Sequence, residues 1–92
     1  MTEVSQYHIQ SVQGVKLSYV AILGLDKGES QPIVTHNITE LMSVKAGRGE
    51  FIVDGNVLNV TENDLLVVNP DTMHGEIGFS NGFNVYILGV EN

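Results

Sequence analysis

Residues 36–76 read HNITELMSVKAGRGEFIVDGNVLNVTENDLLVVNPDTMHGE. No apolar residues recur at helical spacing over three turns. Short apolar runs rich in Val, Ile and Leu alternate instead with Gly, Asn and Asp. That pattern signals short β-strands joined by tight turns. Asp54–Gly55 stands between FIV and NVL. It is a two-residue hairpin signal, because both central positions need positive φ. Gly47-Arg48-Gly49 permits another reversal, and Pro70 ends the strand before His74.

The same punctuation runs through the rest of the chain. Strands are expected near Tyr7–Val12, Val15–Leu25, Ile33–His36, Glu40–Lys45, Glu50–Val53, Asn56–Val60, Asp64–Val68, His74–Phe79 and Phe83–Val90. Asp26-Lys27-Gly28 closes a long strand, and Asn81–Gly82 is expected to join the last two as Asp54–Gly55 joins its pair. The expected class is an all-β sandwich or barrel. At 92 residues the chain is a single domain, residues 1–92, without repeat or linker.

Composition narrows the function classes. There is no cysteine, so disulfides and thiolate metal sites are excluded. The N-terminus lacks a basic start and an apolar core, so it does not read as a signal peptide. No apolar run is long enough to span a bilayer. The expected setting is the cytoplasm. Lys and Arg number 4 against 11 Asp and Glu, for a net charge of −7. The four cations, Lys16, Lys27, Lys45 and Arg48, are scattered. Neither a phosphate backbone nor an anionic membrane is an expected partner of this segment. With no Trp and 7% aromatics, a sugar-stacking platform is not indicated.

Three side chains stand out: His36, Glu40 and His74. Alternation places Glu40, Met42 and Val44 on one side of a strand, with Leu41, Ser43 and Lys45 on the other. Lys45 belongs outside, so Glu40 is expected to point inward, where a carboxylate requires a partner or a ligand. His36 and Glu40 are about 13 Å apart on a straight strand. They converge only if the chain bends between them, with Asn37 and Thr39 as turn residues. Two imidazoles and a carboxylate suit a metal site, an acid/base site or a polar ligand pocket. The plainer alternative makes His36 and His74 rim residues, with Glu40 paired to Arg48 or Lys45. His8 has no partner in sequence and is expected at the surface. The tyrosines and phenylalanines are expected in the core or a pocket wall.

These residues resemble the two motifs of the cupins, a family of small jelly-roll barrels also described as double-stranded β-helices. The first motif, His-x-His, three or four residues, Glu, six residues and Gly, is met by Val34, His36, Glu40 and Gly47. The second, Gly, five residues, Pro-x-Gly, two residues and His, is met by Asn63, Asn69, Asp71 and His74. The first metal-binding histidine of the family is thus Val34 here, and Asn63, Asn69 and Asp71 replace two glycines and a proline.

Residues 36–76 and the ending NVYILGVEN are more narrowly similar to the N-terminal sensor domain of AraC-type transcription regulators. This resemblance implies a non-catalytic barrel that binds a small-molecule effector and forms a homodimer. It also implies DNA reading by a C-terminal helix-turn-helix region outside this chain. The implied ligand contacts are His36, Glu40 and His74, with Met42, Phe51 and Tyr86 as pocket walls. No metal belongs to that expectation. In the alternative, a stand-alone metal cupin enzyme of dioxygenase or isomerase type, His36, Glu40 and His74 would hold Fe, Mn, Ni or Zn.

Overall fold

The computed structural model describes the backbone of residues 3–7 and all of residues 16–91. It is a double-sheet jelly roll, as expected. The strands are β1 (Glu3–Tyr7), β2 (Leu17–Leu25), β3 (Ser30–Val34), β4 (Thr39–Ala46), β5 (Arg48–Val53), β6 (Asn56–Thr61), β7 (Leu65–Val68), β8 (His74–Gly78) and β9 (Phe83–Val90). One sheet has the order β1-β2-β9-β4-β7 and the other β3-β8-β5-β6, with antiparallel neighbours throughout. No helix among the described residues is long and apolar enough to cross a membrane.

Period-two alternation builds the core. Leu23 and Leu25 on β2, Met42 and Val44 on β4, Phe51 on β5, and Phe83 and Val85 on β9 are all fully buried between the sheets. Each such side chain stabilises the fold by roughly 1.5–3 kcal/mol. The opposite face of the five-stranded sheet is also largely apolar. Register aligns Val20, Leu88, Leu41 and Val67 in one outward row and Ile22, Tyr86, Ser43 and Leu65 in the next.

The connections refine the expected turns. Asp54 (φ 48°) and Gly55 (φ 79°) form the predicted two-residue hairpin turn. Gly47 is a corner and not a hairpin. It has φ 76° and carries the chain from β4 in one sheet to β5 in the other. A Cβ there would lie 2.8 Å from Ser80 Oγ and 2.9 Å from Phe83 Cα. The expectation for Asn81–Gly82 is corrected in the same way. β8 and β9 lie in different sheets, and of the two residues only Gly82 has positive φ. That segment is a crossing between sheets.

Of the first expected strand, Tyr7–Val12, only Tyr7 lies among the described residues, within β1. Residues 8–15, including His8, lie outside the described part. His36 lies beyond the end of β3, in the crossing to β4.

Candidate functional site

A cavity of about 370 Å³ is lined by residues of both sheets. The five-stranded sheet contributes Tyr19 from β2 and Glu40 from β4, and the four-stranded sheet contributes His74 from β8. The crossing segment bends at Asn37 and Ile38, whereas Thr39 is already in β4. That bend brings His36 back over Glu40, as convergence required. The His36 carbonyl accepts a 2.7 Å hydrogen bond from Asp71 N–H, which ties the His36 crossing to the loop leading into His74. Reciprocal backbone and side-chain hydrogen bonds between Asp54 and Met73 fix that loop on its other side.

Glu40 is the centre of the cluster and is 3% exposed. Its Oε2 accepts a hydrogen bond from the Tyr19 hydroxyl. Its Oε1 lies 2.9 Å from His74 Nε2 and 3.8 Å from His36 Nε2. Neither approach gives Oε1 a well-directed donor, so this buried oxygen remains without a hydrogen bond. The contact with His74 is best described as short-range charge pairing. His36 and His74 have ring centroids 5.4 Å apart. Arg48 and Lys45, the partners of the plainer sequence reading, do not reach Glu40.

Register explains how Tyr19 reaches the carboxylate. Tyr19, Gly89 and Glu40 form one row across β2, β9 and β4. The Tyr19 ring crosses the strand between them because Gly89 has no side chain. A Cβ on Gly89 would lie 2.5 Å from Tyr19 Cε1.

The protonation states follow from these contacts. Burial pushes the Glu40 carboxyl up, but the His74 and Tyr19 contacts and the nearby His36 outweigh it and hold the group below its ordinary range. Glu40 in turn raises the His74 imidazole against the opposing effect of burial. The Tyr19 phenol is raised by burial and by its bond to Glu40. His74 Nδ1 lies 3.1 Å from the Thr72 carbonyl. A carbonyl only accepts, so Nδ1 carries a hydrogen. Glu40 favours the imidazolium, in which Nε2 carries a hydrogen as well.

The remaining expected wall residues divide. Met42 lines the cavity. Phe51 is buried in the core with its ring centroid 6.2 Å from that of Phe83, and it does not reach the cavity. Tyr86 is 46% exposed on the outer face of β9, with Lys45 Nζ 5.5 Å from its ring centroid. Phe83, Val85 and Ile87 take the inward positions of that strand, so the wall residue is Ile87. The sequence reading also missed Glu76, a buried carboxyl on the cavity wall two residues beyond His74. Alternation from an inward His74 was the signal for it.

The motif departures have a structural logic. Val34 pairs in register with His74 and lines the cavity mouth, where the cupin motif has its first histidine. Asn63 (φ 75°) and Asp71 (φ 62°) both have left-handed backbone. Asn and Asp are the side chains best tolerated there after glycine. The replacements therefore keep the turns while one ligand position is lost.

The AraC-like ligand binding domain family model matches residues 21–92. The chain belongs to that family. No curated protein matches it. Among solved structures, it is similar to an RmlC-like cupin from Desulfovibrio desulfuricans, with a TM-score of 0.78 and 23% identity over 97% of this chain and 81% of that one. KdgF from Halomonas sp. has a TM-score of 0.78 and 17% identity, over 97% of this chain and 81% of that one. Salicylate 1,2-dioxygenase from Pseudoaminobacter salicylatoxidans has a TM-score of 0.81 and 14% identity, over 96% of this chain and 24% of that one. At these identities the likeness shows the cupin fold of this AraC-like domain and nothing of its chemistry.

Proposed function

We propose that the cavity is an effector site and that the chain is the non-catalytic sensing domain of an AraC-type regulator. In this reading it acts as a homodimer and reaches DNA only through a helix-turn-helix region outside this chain. The observation that carries the reading is Glu40, a buried carboxylate lining the cavity, with Oε1 lacking a directed donor. Leaving such an atom unsatisfied costs about 1–3 kcal/mol or more, and a ligand N–H or O–H recovers it. The family match supports a small-molecule ligand, and 370 Å³ is at the small end of ligand pockets.

Coupling follows from where the contacts originate. Glu40 and Tyr19 belong to one sheet and His74 to the other. A molecule that touches all three favours one spacing of the sheets over others. That differential affinity is what shifts a population between conformations.

The test is a thermal-shift screen of small metabolite-like compounds, followed by calorimetry on Glu40→Gln. A hit should raise the unfolding midpoint and lose at least tenfold in affinity in the variant, about 1.4 kcal/mol. Hits that bind Glu40→Gln unchanged would overturn this site assignment.

One observation favours a second reading, a metal-dependent enzyme. One donor atom each from His36, Glu40 and His74 lies within 4.8 Å of the others. The donor set fits Fe, Mn, Ni or Zn in kind and spacing, and a bound metal would supply Lewis-acid chemistry. His74 is already oriented by the Thr72 carbonyl, as ligating imidazoles commonly are. Val34 at the fourth position speaks for the effector reading. Stoichiometric metal in the purified protein, lost in His74→Ala, would reverse the preference.

A further inference from the structure

Glu76 is the acidic group that the effector site described above leaves unused. It is 6% exposed and lines the cavity from β8. Among the described residues it has no hydrogen-bond or ion-pair partner. Both imidazoles of the site turn their Nε2 toward Glu40, at 3.8 Å from His36 and 2.9 Å from His74. A buried, unpaired carboxylate is among the most expensive groups a small core can carry.

The surroundings of Glu76 define what can satisfy it. No Lys or Arg lines the cavity, and Lys16, Lys27, Lys45 and Arg48 are all exposed at the surface. An anionic ligand would meet two carboxyl groups and no Lys or Arg. A neutral hydroxyl would donate one hydrogen bond but leave the buried charge uncompensated. A cation answers both needs. The five-stranded sheet offers the hydrocarbon of Ala21, Leu23, Met42 and Ile87 to the body of such a ligand. Gln31 is the cross-strand neighbour of Glu76 and also lines the cavity. Cross-strand neighbours have Cβ atoms about 5 Å apart, so the Gln31 amide oxygen offers a second acceptor.

We propose that the effector is a small organic cation, an alkyl ammonium or guanidinium, whose charged nitrogen is received by the unpartnered carboxyl of Glu76. The assignment rests on the effector reading and names its ligand class. The uncharged end of such a molecule lies along the apolar wall, and a second donor group on it reaches Glu40. Glu76 thereby sets specificity, whereas Glu40 and His74 anchor any ligand of the site.

The experiment is calorimetry on the whole chain with four length-matched probes: hexylammonium, hexylguanidinium, hexanol and hexanoate. Wild type should bind the two cations at least tenfold more tightly than the alcohol or the carboxylate. Glu76→Gln should remove that preference with its circular dichroism unchanged. Glu76→Asp, which keeps the charge, should retain it. Equal or tighter binding of hexanol or hexanoate overturns the cation assignment and leaves the effector site standing, provided binding still depends on Glu40. An unchanged preference in Glu76→Gln also overturns it. Binding of none of the four overturns it as well, and the compound screen then decides the effector reading alone.

Discussion

At the scale of single residues, the site is a contest between burial and pairing, with opposite outcomes at two carboxyls. Glu40 has Tyr19 and two imidazoles and stays ionised, so its stabilisation is present above its unfolded pKa and lost as pH falls through the folded one. His74 is raised, so its contribution is complete below its ordinary value of 6.5 and fades as pH rises through the higher folded value. Glu76 has no hydrogen-bond or ion-pair partner among the described residues, and its rise from 4.5 to about 7, driven by burial, means the folded state holds a proton that the unfolded state has released. Stability therefore falls as pH climbs through that window, by roughly 3 kcal/mol in all. Glu76→Gln removes this penalty. Urea unfolding should show the variant close to wild type at pH 4.5 and more stable by up to about 3 kcal/mol at pH 8. A gap of equal size at both pH values would contradict this account of Glu76.

At the scale of strands and turns, the left-handed positions decide how far the family pattern can drift. Asn63 occupies one, with φ 75°, in the turn between β6 and β7. Asn63→Gly should leave stability unchanged or raise it by up to about 1 kcal/mol, and Asn63→Val should lower it by about 1–2 kcal/mol. Thermal denaturation of the two variants checks the sign of each, and equal midpoints would mean that the turn relaxes. The strands were largely legible because alternation and turn chemistry agree at Asp54–Gly55, Gly47 and Pro70. The inward Glu40 was legible for the same reason, from the outward Lys45 on its strand. The misreadings arose where a local signal depends on a distant partner. Asn81–Gly82 has hairpin chemistry, but β8 and β9 pair with other strands. Tyr86 reads as a wall residue until Phe83, Val85 and Ile87 fix the phase of β9. Glu76 escaped because a lone Glu in a strand reads as solvated unless its neighbour His74 is already placed inward. The Tyr19–Glu40 contact spans the row through Gly89, which no local pattern encodes.

At the scale of the whole molecule, the five-stranded sheet is apolar on both faces, but only one is covered among the described residues. Leu65, Val67 and Tyr86 on its outer face are between 46% and 67% exposed. Among the described residues β7 ends that sheet with no strand paired on its outer edge, and it carries no Lys or Pro to guard it. Edges of this kind pair readily with a second copy, and a two-fold contact uses the same patch twice. The homodimer proposed above is therefore expected to run along β7, where the apolar rows end. A net charge of −7 opposes close approach of two copies, so the apolar rows must supply the attraction. Glutamates at Leu65 and Val67 together would remove that attraction and add repulsion. They leave the core untouched, because both side chains point away from it. Sedimentation should show a wild-type dimer and a double variant that is monomeric with native circular dichroism. A double variant that still dimerises would move the interface away from β7, and a monomeric wild type would remove the dimer from the proposed function while leaving the cavity and its ligand chemistry as argued.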